Sequence, residues 1–189
     1  MKLRCICLAL CLCTPPLFAA PALIAIGALD ASVRDASNAT AAPLENGAPG
    51  NLLGGLGSGL AYAGCDRLLA LPDRGPNVAP YNRKVDDTTS YVPRFHTLRF
   101  ALDRAAGPLP WRLQLTLEST TLLSSPTKLV YGSGAGLDVG GGAPAVNDSG
   151  MSYFSGRSDN LDPARNSTNA ADARFDPEGI RRSEEHTSE

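Results

Sequence analysis

Acidic residues stand in tight turns at three places along the chain, and two of these turns also carry an arginine. The segment LPDRGPN holds Asp73 and Arg74, SGRSDNLD holds Arg157, and FDPEG holds Asp176 and Glu178. Proline and glycine favour turns, and loops at strand ends commonly carry functional groups. Carboxylates are ligands for a hard cation such as Ca²⁺, and arginine binds phosphate through paired hydrogen bonds. The turns therefore predict either a cation and phosphate site or aspartates that only hydrogen-bond their own turns.

The rest of the chain offers few groups for other kinds of catalysis. His96 lies in the middle of an alternating strand pattern, which predicts a packed or surface histidine rather than a catalytic one. No serine stands in a Gly-x-Ser-x-Gly setting, and the Gly-x-x-x-x-Gly-Lys phosphate-binding motif does not occur. The glycines of GGLGSG precede a strand rather than a helix, so their predicted role is conformational.

Residues 1–20 predict a secretory signal peptide. Lys2 and Arg4 are followed by the apolar run CICLALCLC, which is too short to span a bilayer, and then by small residues that favour cleavage. A lipoprotein with a lipidated Cys11 is the alternative. Four of the five cysteines lie in the signal, so its removal leaves Cys65 as the one cysteine of the mature chain. A single cysteine gives no disulfide framework, and Cys65 is predicted to be a turn or core residue. The predicted location is the periplasm or the extracellular space.

Five segments have the alternating or apolar pattern of β-strands, and no long helical period occurs. They are residues 22–29, 53–62, 67–71, 94–102 and 111–123. The second and third segments predict one hairpin, and the fourth and fifth predict another. Residues 124–172 have a loop-like pattern. This arrangement predicts an all-β fold of antiparallel hairpins with long Gly/Pro-rich loops, either propeller blades or a sandwich.

Composition agrees with a turn-rich β-protein and excludes some partners. The chain has 189 residues, of which 43% are hydrophobic, and its 19 glycines and 15 prolines are too many for a helical bundle. The formal net charge of −2 provides no basic surface for nucleic acid and no polybasic patch for a membrane. After signal cleavage we expect no membrane span.

Six segments resemble, in the same order, the bacterial secreted proteins of the esterase-like phytase family. They are GGLGSGLAY, LPDRGPN, TTLLSS, LVYGSG, SGRSDNLDPA and ARFDPEGIR. The resemblance implies a β-propeller with acidic residues on one face and hydrolysis of a phosphoester or ester. It also places Asp73 and Arg74 in the family's Asp-Arg-Gly turn, and Asp176 and Glu178 in its Asp-Pro-Glu-Gly turn.

The end of the chain departs from this resemblance. Family members continue with a further strand and another acidic motif, whereas RSEEHTSE at residues 182–189 matches what a sequencing adapter encodes. We therefore interpret residues 21–181 as the N-terminal part of a phytase-like propeller domain, roughly its first two blades. The fragment alone is expected to be inactive.

Two functions remain open for the intact parent protein. The first is metal-assisted hydrolysis of a small phosphoester, with Asp73, Asp176 and Glu178 holding Ca²⁺ or positioning water and Arg74 or Arg157 binding the phosphate. The second is a non-catalytic periplasmic propeller that binds a ligand or partner, in which the same acids only stabilise turns.

Export gives the first testable prediction. When the gene is expressed in a Gram-negative host, mass spectrometry should find a mature N-terminus close to Pro21 or Leu23, because the apolar run forms a signal. An intact Met1 with retention in the cytoplasm would contradict this prediction, and a diacylglycerol on Cys11 would identify a lipoprotein.

Overall fold

A computed structural model describes residues 20–44, 46–77, 88–131, 143–156 and 169–183. Within these ranges the protein is all-β, with antiparallel sheets and one short 3₁₀ helix, Asn38–Thr40. The strands are β1 (Gly59–Gly64), β2 (Arg67–Leu71), β3 (Arg94–Arg104), β4 (Trp111–Leu122), β5 (Ser124–Ser125) and β6 (Ser152–Tyr153). No helix in this part of the chain is long and apolar enough to cross a membrane.

The two predicted hairpins are confirmed, and they join into one sheet. Strands β1 to β4 form an antiparallel meander in sequence order, and β5 pairs with β6 in a separate two-stranded sheet. A four-stranded meander is the unit from which propeller blades are built. The described residues contain one such meander, and neither a second blade nor closure of a propeller is seen among them. Apart from the short β5–β6 pair, the described parts of residues 124–172 are irregular, as the sequence predicts.

Strand β1 is shorter than the sequence pattern predicts. It begins at Gly59 rather than near residue 53, because Gly54, Gly55 and Gly57 have positive φ values of 52°, 62° and 116°. Such values are incompatible with an extended strand, and glycine adopts them without a steric penalty. The β1–β2 turn places Cys65 on the surface with φ of 51°.

The first predicted strand, residues 22–29, is not a buried strand. Leu23 and Ile26 are 67% and 64% exposed, and no strand is assigned there. The segment nevertheless lies along β4, because the amides of Trp111 and Leu113 donate to the carbonyls of Ile24 and Ile26, each at 3.2 Å. A position beside an edge strand explains why apolar residues here remain in contact with solvent.

The core lies on one face of the meander, where cross-strand neighbours bring apolar side chains together. Leu68 pairs with Leu98, which in turn pairs with Leu117. The next pair on this face is Ala70 and His96, and both are fully buried. The predicted strand histidine is therefore a packed one.

His96 is held as a neutral side chain. Its Nδ1 lies 2.9 Å from Thr120 Oγ1, and its Nε2 has no hydrogen-bond partner among the described residues. Burial lowers the pKa of His96 to about 4, and the nearby positive charge of Arg94 contributes to a smaller extent. Protonation of this ring would place a second charge next to a buried guanidinium.

A buried ion pair connects the N-terminal segment to the start of β3. Arg94 donates to Asp35 Oδ2, and the two side chains are 1% and 0% exposed. Asp35 Oδ1 also accepts hydrogen bonds from Ser37 N and Thr40 Oγ1, each at 2.9 Å. These bonds satisfy a carboxylate that would otherwise be costly to bury.

The guanidinium of Arg94 makes further contacts of its own. Its Nε donates to the Val92 carbonyl at 2.7 Å, and its Cζ lies 3.9 Å from the centre of the Tyr91 ring. Burial raises the pKa of Tyr91 to about 12, and the Tyr91 hydroxyl donates to the Leu52 carbonyl at 3.1 Å. Arg94 therefore fixes the position of Tyr91, which contacts several loops.

Removal of this ion pair should destabilise the fold strongly. Asp35→Ala leaves a buried guanidinium without its charge partner, so we expect a loss of about 3–5 kcal/mol in the free energy of unfolding, measured with urea. The matched control is Asp103→Ala, because Asp103 is half-exposed and pairs with Arg112 at 4.0 Å. That variant should lose less than about 1 kcal/mol. Equal losses in the two variants would show that the buried pair has no special role.

His96 predicts a loss of stability in mild acid. The pKa is about 4 in the folded chain and 6.5 as the ordinary value, so the unfolded state takes up the proton first as pH falls. The His96 contribution is intact above pH 6.5 and lost between pH 6.5 and about 4, at a cost of roughly 3–4 kcal/mol. The free energy of unfolding, measured with urea at several pH values, should fall as the pH is lowered across this range.

The control removes the titrating ring. His96→Gln should flatten the pH dependence of the free energy of unfolding in this range. A slope that persists in the His96 variant would assign the effect to other groups.

Candidate metal site

The Asp73 turn follows directly from the end of β2. Asp73 Oδ1 accepts a hydrogen bond from the backbone nitrogen of Arg74 at 2.7 Å, so this aspartate does stabilise its own turn. Gly75 then reverses the chain with φ of +106°, and a side chain at Gly75 would collide with the Tyr91 ring. Glycine is required here because the turn packs directly on Tyr91.

The second acidic turn is held in place from both sides. Before it, Phe175 N donates to the Ser155 carbonyl at 3.0 Å, and the rings of Phe154 and Phe175 are 5.2 Å apart. After it, the chain passes over β1, because a side chain at Gly59 would come within 3.1 Å of Ile180 N. Farther on, Arg182 donates to the Ala63 carbonyl. These contacts fix Asp176 and Glu178 beside the first turn.

The two turns bring three carboxylates to one place. One oxygen from each of Asp73, Asp176 and Glu178 lies within 4.8 Å of the others. Arg74 Nη1 donates to Asp176 Oδ2 at 2.8 Å and links the turns through an ion pair. The predicted grouping of these acids is therefore confirmed, although residues 73 and 176 are far apart in the chain.

The charges of this cluster favour a cation. Arg74 is the positive charge that the described ion pairs place at this cluster, and three ionised carboxylates at short range repel one another. Asp176 Oδ1 is buried and has no hydrogen-bond partner among the described residues. Glu178 is exposed at the edge of the cluster. An additional positive ligand would relieve the repulsion and give Asp176 Oδ1 a partner.

The spacing of the oxygens also fits a cation. Two ligands at about 2.3–2.6 Å from one Ca²⁺ are at most about 5 Å apart, and the oxygens here satisfy that limit. Three carboxylates form a hard, all-oxygen donor set. Such a set suits Ca²⁺, Mg²⁺ and Mn²⁺ better than it suits soft metals. The hydrogen bond of Asp73 to its own turn occupies one oxygen, and the other remains a potential ligand.

The third acidic turn is described only at its beginning. Gly156 N donates to the Tyr91 carbonyl at 2.7 Å, and a side chain at Gly156 would collide with the Arg74 carbonyl. This segment therefore reaches the Asp73 turn. Arg157, the predicted second phosphate ligand, lies outside the described residues, so its role stays a prediction.

The supporting residues of the site were not predicted from the sequence. Tyr91 lies beneath Gly75, donates to Leu52 and accepts from Gly156, so it supports the site without belonging to it. No motif surrounds Tyr91, and it follows the undescribed residues 78–87. Only its aromatic type next to the start of a strand pattern could have suggested a core role.

Comparisons with known proteins give no family assignment. No protein-family model matches the chain, and searches of curated proteins and of solved structures find no match.

Proposed function

We propose that the cluster of Asp73, Asp176 and Glu178 binds a divalent cation, with Ca²⁺ as the first candidate, and that the intact parent protein hydrolyses phosphoesters there. The observation that supports this most is the convergence of three carboxylates from two distant turns, in which the buried Asp176 Oδ1 has no hydrogen-bond partner within the described part of the chain. The resemblance to the esterase-like phytase family, a propeller family, points to the same reaction class.

The chain's own residues have distinct roles in this proposal. Arg74 is part of the site through Asp176, so its guanidinium is placed to hold a phosphate oxygen next to the carboxylates. Glu178 is an exposed acid of the cluster and is suited to accept a proton from the attacking water. A bound cation would supply charge neutralisation for the phosphoryl oxygens. The water oxygen bonds to phosphorus, the ester P–O bond breaks, and the alcohol leaves with a proton.

Cation binding can be measured on this chain without any turnover. Calorimetry should detect saturable Ca²⁺ binding, and Asp176→Asn or Glu178→Gln should weaken it by roughly tenfold or more, because each removes a charged ligand. The matched control is Asp148→Asn, since Asp148 is an exposed turn aspartate that accepts from Gly150 N at 2.8 Å. Absence of binding, or equal weakening in the control, would favour acids that only stabilise turns.

Turnover distinguishes the enzyme from a binding module. The parent protein should hydrolyse a generic phosphoester in the presence of Ca²⁺, and chelation should abolish the activity. A parent that binds Ca²⁺ and a ligand but shows no turnover would support the non-catalytic propeller instead.

A further inference from the structure

An apolar cavity of about 420 Å³ lies next to the acidic cluster and is not used by the site described above. Its apolar walls include Val33, Leu53 and Leu56. Small-molecule sites are typically concave and mostly apolar, and this volume is in their usual range of about 300–1,000 Å³. The cavity is large enough for part of a substrate.

Two glycines connect this cavity to the carboxylates. Gly55 and Gly75 both line it, and a side chain at Gly55 would come within 3.3 Å of Asp73 Cβ. Gly75 belongs to the Asp73 turn itself, and both glycines have positive φ, at 62° and 106°. Because neither residue has a side chain, only backbone separates the cavity from Asp73 at these two positions.

The walls of the cavity are fixed by backbone hydrogen bonds. Leu52 forms an isolated antiparallel bridge with Arg34, and Asp35 N donates to the Asn51 carbonyl at 2.9 Å. The Tyr91 hydroxyl donates a further hydrogen bond to the Leu52 carbonyl. The cavity is therefore already formed without a ligand, which reduces the entropic cost of binding one.

Charge at the cavity argues against a phosphate inside it. Among the described residues that line the cavity, Asp30 carries a charge, and its carboxylate accepts a hydrogen bond from Ser32 N at 2.8 Å. A negative group at the rim disfavours an anion, whereas Arg74 beyond the two glycines favours one. The cavity and the cluster thus differ in the chemistry that they accept.

We propose that this cavity binds the apolar alcohol portion of a phosphoester whose phosphate lies at Arg74 and the acidic cluster. The inference rests on the proposed function, and it specifies an ester of an aromatic or branched apolar alcohol rather than of a polyol. Apart from the Asp30 carboxylate, the described lining has no side chain that hydrogen-bonds hydroxyl groups, so a polyol would lose much of its hydration without compensation.

The first experiment measures binding without phosphate or catalysis. Equilibrium dialysis of this chain against 2-naphthylmethanol should show saturable binding, and Val33→Trp, which fills the cavity, should weaken it by roughly tenfold or more. Leu56→Ser tests the same wall with a smaller change and should also weaken binding. The matched control is Val130→Trp, because Val130 is an exposed apolar residue outside the cavity lining. Urea unfolding checks that each variant is folded: a folded variant should show the same loss of unfolding free energy between pH 6.5 and about 4 as the unchanged chain.

The second experiment uses the parent protein and two esters of alkyl alcohols. The kcat/KM for 2-naphthylmethyl phosphate should exceed that for methyl phosphate by roughly tenfold or more, because burial of the ring adds binding energy. Val33→Trp should reduce this ratio, and Val130→Trp should leave it unchanged.

The outcomes separate the two proposals. Equal kcat/KM values for the two esters, or alcohol binding that Val33→Trp and Leu56→Ser leave unchanged, would overturn the cavity assignment even if the protein is a phosphatase. Absence of alcohol binding to the folded chain would overturn it as well. Alcohol binding that both wall variants weaken, in a parent without turnover, would support the apolar cavity and contradict the proposed hydrolysis.

Discussion

The burial of one ion pair is the constraint on which the candidate site depends. Asp35 and Arg94 lie 59 positions apart in the chain, yet both side chains are almost fully excluded from solvent. A buried charge is tolerated only when it is paired and hydrogen-bonded, so the segment around Asp35 must stay against the start of β3. Arg94 in turn lies over the Tyr91 ring.

Tyr91 carries this constraint to the loops of the site. Its ring packs on Gly75, its hydroxyl binds the Leu52 carbonyl, and its own carbonyl accepts from Gly156. The cavity wall, the Asp73 turn and the beginning of the third acidic turn therefore all contact one buried residue. A site made of loops needs such a rigid support, because loops alone would not hold three carboxylates within 4.8 Å of one another.

The sequence predicted the parts of this structure that depend on local pattern. Alternation in β3 and β4 identified the long hairpin, and Pro and Gly next to acids identified the turns at Asp73 and Asp176. It did not predict where β1 begins, since the positive φ of Gly54 and Gly55 follows from packing against Tyr91 and Asp73. Nor did it predict the Asp35–Arg94 pair, because a lone aspartate in a polar connector shows no sign of a distant partner. Long-range contacts of this kind follow from the tertiary structure and not from periodicity.

Whether the three carboxylates form one cation site can be seen in a crystal structure of this chain soaked in Mn²⁺. Mn²⁺ is a hard cation with a strong anomalous signal. We expect an anomalous peak about 2.1–2.6 Å from one oxygen of each of Asp73, Asp176 and Glu178. A Mn²⁺ ion bound elsewhere would contradict a shared cation site. So would the absence of a peak in a structure that keeps the Arg74–Asp176 pair but holds the three carboxylates apart.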